Sequence, residues 1–259
     1  MKSENLGRFS FAVSLEFLPP LHRKTVAVEL ILSEGESLEE FSDMVACLCD
    51  LSGFGAFAEN EDQVKDSRAQ LNDSKAPNPR TWTATITFSH VHFDFFRIFL
   101  QTLAQCHHFV EPVVSLKISD LALPHGQRFS LSVEEIVNAS YVKRFDRLPF
   151  AVVQAEGITN EINAVRLKTR RPVSVKEYEV ARKVFEDWAS LVYTGGFASP
   201  FRSLDTFQLL KVKVTKIHNS LIECAVFGWN ADQAAIDFLI NVCYGLNAKV
   251  FPIEELEIE

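Results

Sequence analysis

The most metal-like string in the chain is Ser89-His90-Val91-His92-Phe93-Asp94. Two imidazoles two residues apart on a strand point to the same side and can share one ion, and an acidic residue beside them adds an oxygen ligand. The set stops there. Asp94 is followed directly by Phe95 and not by a closing histidine, and no distant HxxxH supplies the missing ligands. Cys106-His107-His108 comes closest, but it falls at the far end of a helix expected over 93–107. At 1.5 Å per residue that is about 21 Å from His90. No metal site and no cofactor are therefore assigned.

Other chemistry has fainter traces. The chain has no GxSxG, GxGxxG or GxxxxGK[ST]. Gly53-Phe54-Gly55 and Gly195-Gly196 follow expected helices and read as stop signals, whereas phosphate-cradling glycines precede a helix. Two charged groups remain. Arg166, Lys168 and Arg170 share one face of an expected strand, and Lys211 and Lys213 share a face of another. If both lie in one sheet, five cations gather on it and make an anion-binding surface, or a wet face balanced by Glu177, Glu179 or Glu223. Glu29, Glu36, Glu39, Glu40 and Asp43 make an acidic counterpart across a strand at 25–33 and the start of a helix at 37–52.

The elements that must position these groups occur twice. FAVS at Phe11–Ser14 is echoed by FAVV at Phe150–Val153. Thr25–Phe41 lies ungapped over Ile162–Tyr178, and Thr85–Leu103 over Cys224–Val242. Each half reads as a leading strand followed by β-α-β-β-α-β. In the first half these are strands 9–17 and 25–33, helix 37–52 capped by Ser37, a short strand near 54–58, a polar loop over 60–80, strand 81–89, helix 93–107 and strand 112–119. In the second they are strands 149–156 and 163–169, helix 174–192 capped by Ser174 with Glu177 at N3, hairpin 208–218/221–229, helix 231–245 and strand 248–258. This pattern is the split βαβ of ferredoxin-like folds. The expected fold is α+β, an internal duplication of two ferredoxin-like units (1–121 and 149–259) with antiparallel sheets and helices on one face. A linker with a short helix near 132–142 joins them (122–148).

Composition bounds the function. The chain has 259 residues, 47% of them hydrophobic, and a net charge of -8. It is long enough to fold around a core without a disulfide or metal. Residues 1–140 carry 11 basic and 19 acidic side chains, and residues 141–259 carry 15 and 15. An acidic balance argues against general nucleic-acid coating, which neutralises phosphates with Lys and Arg. No stretch is long and apolar enough for a membrane span, and the five cysteines fit reduced thiols in the cytoplasm.

Three functional expectations follow. The first is a non-enzymatic interaction protein, adaptor-like or toxin-immunity-like, that meets a cationic protein partner through the acidic surface of the first half. The second is a small-molecule-binding protein or enzyme with a pocket between the two units, lined by Trp82, His90, His92, Tyr193 and Trp229. The third is nucleic-acid or phosphate binding on the basic sheet face of the second half.

Overall fold

The structure, a computed structural model, describes residues 11–16, 21–34, 38–109, 113–122, 145–154, 164–197, 211–227 and 233–259. Among them the chain is α+β, with two five-stranded mixed sheets and four α-helices. The first sheet holds β1 (Ala12–Glu16), β2 (Lys24–Leu32), β3 (Arg68–Asn78), β4 (Thr81–Ser89) and β5 (Val113–Asp120), in the order β1-β5-β2-β4-β3. Its helices are α1 (Leu38–Gly53) and α2 (Asp94–Phe109). The second sheet holds β6 (Ala151–Gln154), β7 (Ala164–Thr169), β8 (Lys211–His218), β9 (Leu221–Phe227) and β10 (Ile253–Ile258), in the order β6-β10-β7-β9-β8. Its helices are α3 (Val175–Tyr193) and α4 (Gln233–Lys249).

Strict alternation makes the central strands. Val26, Val28, Leu30 and Leu32 of β2 are buried, as are Trp82, Ala84, Ile86 and Phe88 of β4, while the threonines between the β4 residues stay half-buried. Ser174 caps α3 as its spacing predicts. Its hydroxyl accepts from the Glu177 N–H at 3.3 Å, and Glu177 Oε2 accepts from the Ser174 N–H at 2.9 Å.

Three expectations are corrected. The sheets are mixed, because β1 runs parallel to β5 and β6 parallel to β10. Each leading strand enters at the sheet edge beside the last strand of its half, and both run the same way. The segment 60–80 is not a loop. It forms a 3-10 turn at Glu61–Gln63 and then β3, which pairs antiparallel with β4. As an edge strand it buries little besides Ala69, so no alternation marks it, and it tolerates Pro77. Residues 54–57 form a turn after α1, and Ala58 contributes only a single bridge to Val91. The Ser37 cap and the linker helix near 132–142 lie outside the described residues.

The helices of the two halves meet, with a sheet behind each pair. One buried hydrophobic cluster runs through both. Lys183 on α3 bridges Asp50 on α1 at 2.6 Å and Asp187 at 2.8 Å. The Cys47 thiol donates to the Asp187 carbonyl at 3.1 Å. Phe57 packs on Phe238 with ring centroids 4.8 Å apart. Lys249 Nζ donates to the Gly53 carbonyl at 2.7 Å.

The tightest approach is at Gly245 of α4, where an added Cβ would sit 1.8 Å from the Phe54 carbonyl oxygen. Gly245→Ala must push the helical layers apart, and we expect it to destabilise the protein by about 3 kcal/mol or prevent folding. Gly53→Ala, with nothing within 4 Å of the new Cβ, should stay within about 0.5 kcal/mol of the parent. Urea unfolding midpoints of the two variants check both. A second prediction concerns acid. Arg171 and the Ser174 cap hold the Glu177 carboxyl down, from an ordinary 4.5 to about 2. A carboxyl depressed in the folded state stabilises above its unfolded value, and that stabilisation is lost as pH falls through the folded value. Stability should therefore drop between about pH 4.5 and 2, and Glu177→Gln should remove that part of the slope in unfolding curves measured against pH.

Candidate functional site

The junction between β4 and α2 is built from the string that carries both histidines. β4 ends at Ser89, and His90 adopts a left-handed φ of 50°. The alternation that would aim His90 and His92 alike is broken there, and the two imidazoles part. His92 turns to the start of α2. The Asp94 N–H donates to its Nδ1 at 3.2 Å, and Asp94 Oδ2 lies 3.0 Å from the same nitrogen, an ion pair when the imidazole is protonated. Asp94 also accepts from Arg97 Nε at 3.2 Å. Among the described residues, no three His, Cys, Asp or Glu side chains converge as metal ligands would.

His90 turns the other way. Its ring lies 4.0 Å from that of His22, tilted by 37°. The pair belongs to a cleft of about 400 Å3 lined by His22, Arg23, Lys65, Asp66, Arg68, Ser89 and His90. Three segments meet here: the entry to β2, the turn before β3 and the exit of β4. Arg68 opens β3 directly opposite Ser89. Arg23, with φ 52°, and His90 are the described non-glycine residues at positive φ, and both line this cleft. Such backbone costs of order 1–3 kcal/mol each and gathers at functional sites. Three permanent cations face one carboxylate. Among the described residues, Arg23, Lys65 and Arg68 make no ion pair, and the buried Nδ1 of His22 has no hydrogen-bond partner.

The sequence singled out only His90 of this set. The other expected pocket residues do not gather around it. Trp82 is buried at the opposite end of β4, roughly 26 Å away at strand rise, with its indole N–H donating to Ser74 Oγ at 3.0 Å. Tyr193 is half exposed at the end of α3. Trp229 lies outside the described residues.

The acidic group is split by the first sheet. Glu29 is exposed on the outer face, opposite Lys117 in register, with Val28 and Leu30 buried on the helix side. Glu39 and Asp43 are exposed on α1, behind that sheet. Glu36 and the side chain of Glu40 lie outside the described residues.

The cationic group does share one sheet, and carboxylates meet much of it. Arg166 lies 2.7 Å from Glu223, 3.5 Å from Glu257 and 2.7 Å from Glu259. Lys168 lies 3.1 Å from Glu254. Arg170 donates to the Pro149 carbonyl at 2.9 Å, and Lys213 is exposed. The side chain of Lys211 lies outside the described residues.

Cys47, Cys49, Cys224 and Cys243 are buried free thiols. Burial pushes all four up, Cys49 and Cys224 to about 12, so the reactive thiolate is suppressed at neutral pH. We expect none of the four to react with iodoacetamide in the native protein at pH 8, and all four to react in denaturant. Peptide mapping by mass spectrometry reads the difference.

No protein-family model matches the chain, and no curated protein matches it. Among solved structures, a crystal structure of pitrilysin aligns with 90% of this chain at 11% identity and a TM-score of 0.23. The chain spans 37% of the length of that one.

Proposed function

We propose that this chain is a non-enzymatic interaction protein that binds a cationic protein partner through acidic residues of its first half. The carrying observation is where charge is left over. In the second half Glu177, Glu179, Glu186, Asp187, Glu223, Glu254, Glu257 and Glu259 each pair with an arginine or lysine. In the first half Glu29, Glu39 and Asp43 are exposed and make no ion pair among the described residues. Unpaired surface charge of one sign speeds association with the opposite sign. Because Glu39 and Asp43 lie on α1 and Glu29 lies across the sheet, the contact is placed on α1, together with Glu36 and Glu40 of the same stretch of sequence. Adaptor-like or immunity-like neutralisation of a partner would act in this way.

We also infer that the two halves are diverged copies of one ferredoxin-like unit, placed in the cytoplasm. Support comes from the succession β-β-α-β-β-α-β in each half and from strand orders that correspond one for one. β1 at 12–16 and β6 at 151–154, like β5 and β10, sit near the offset of 139 that aligns Thr85 with Cys224. Buried free thiols suit a reducing compartment. Among the described residues no helix is long and apolar enough to cross a membrane.

Affinity capture from the protein's own host tests the partner reading. The intact chain and Glu29→Lys should retain the same polypeptide at low salt and release it at high salt. The double variant Glu39→Lys/Asp43→Lys should lose it, with association slowed about 10-fold or more. A partner held equally by the double variant overturns the assignment.

A further inference from the structure

We propose that the cleft at the end of the first sheet is a binding site for a phosphate dianion, either free or carried on a small hydroxylated molecule. The site is independent of the acidic surface on α1 and needs no protein partner. Its lining supplies what phosphate recognition requires. Arg23 and Arg68 offer planar forks that match phosphate oxygens, Lys65 adds a point charge, and the Ser89 hydroxyl adds a neutral donor. The imidazoles of His22 and His90, with centroids 4.0 Å apart and planes tilted by 37°, belong to the same lining, and His22 Nδ1 is buried with no hydrogen-bond partner.

The charge balance points to a dianion. Three permanent cations against Asp66 leave two positive charges before any imidazole is protonated. These cations are free to act, since among the described residues none is held in an ion pair. That separates them from Arg166 and Lys168, whose charge is already met by Glu223, Glu254, Glu257 and Glu259. Asp66 is the polar opposite of the rest of the lining. A carboxylate there repels phosphate oxygens but accepts hydrogen bonds from hydroxyls, so it suits the carbon skeleton of a phosphorylated polyol or sugar. A cleft of about 400 Å3 holds one such molecule.

The backbone argues for a built site. Arg23 and His90 hold unfavourable φ values of 52° and 50° on two separate strand ends, and both aim into the same space. Val91, next to His90, bridges both Leu21 and Ala58, and the His92 N–H donates to the Phe57 carbonyl at 2.6 Å. These contacts fix the strained turns before any ligand arrives, which lowers the ordering cost of binding.

The test is a titration of the full chain with inorganic phosphate and, separately, with glucose 6-phosphate, followed by the imidazole signals in 1H–15N spectra. Both ligands should shift His22 and His90 and leave His218 on β8 unmoved. Arg23→Gln and Arg68→Gln should each weaken binding by about 10-fold or more, while Lys168→Gln should not change it. All three positions are at the surface, and thermal unfolding will verify that the variants stay folded. Tighter binding of glucose 6-phosphate than of phosphate, abolished by Asp66→Asn, assigns a phosphorylated hydroxy compound; equal affinities assign free phosphate. The proposal is overturned if neither ligand moves the two histidines, or if Arg23→Gln and Arg68→Gln bind as the parent does.

Discussion

The approach of α4 to the turn after α1, with Gly245 against the Phe54 carbonyl, sets the arrangement on which the rest of the structure depends. Only a residue without a Cβ lets the two helical layers come this close. Phe57 then reaches Phe238, Lys183 reaches both Asp50 and Asp187, and Lys249 reaches the Gly53 carbonyl. With helices turned toward each other, the outer face of each sheet is left to solvent. An open sheet face must be polar or it becomes a site of association.

The two halves meet that requirement with different chemistry. The first sheet uses hydroxyls. Thr25 and Thr87 hydrogen-bond side chain to side chain at 2.9 Å, and Asn72 donates to Thr87 at 2.7 Å. The second uses a ladder of ions centred on Arg166, with carboxylates on β9 and along the β10 stretch on either side. Exposed pairs of this kind add little stability each, but they neutralise the face they cover. Charge is therefore consumed within the second half, while the first half, with 19 acidic and 11 basic side chains over residues 1–140, keeps its excess.

What was legible in the sequence follows from which forces are local. Val26 to Leu32 and Trp82 to Phe88 alternate because one face of each strand is buried, and that pattern survives without any tertiary knowledge. Ser174 and Glu177 name the start of α3 because a capping box is closed within four residues. β3 was invisible because its pairing uses backbone groups, which every sequence possesses, and its side chains are exposed. The parallel pairing of β1 with β5 joins residues about 100 apart, and nothing local encodes it. The cleft was hidden for the same reason. His22–Arg23, Lys65–Arg68 and Ser89–His90 are unremarkable as dipeptides or short runs and become a site only when three strand ends converge.

His90 shows how local chemistry and tertiary constraint compete at that convergence. As strand residues, His90 and His92 would have stood side by side and invited a shared ion. The chain must instead leave β4 and enter α2 within a few residues, while Val91 stays fully buried and bridges Leu21 and Ala58. Burying Val91 forces the turn, and His90 absorbs it at φ 50°. One imidazole is thereby delivered to the Asp94 carboxylate at the head of α2, and the other to His22 beside the entry of β2. At the offset of 139 residues, the positions that answer His90 and His92 are Trp229 and Ala231, and neither carries an imidazole. The strain, the paired rings and the unpaired cations thus gather where three strand ends of the first sheet converge.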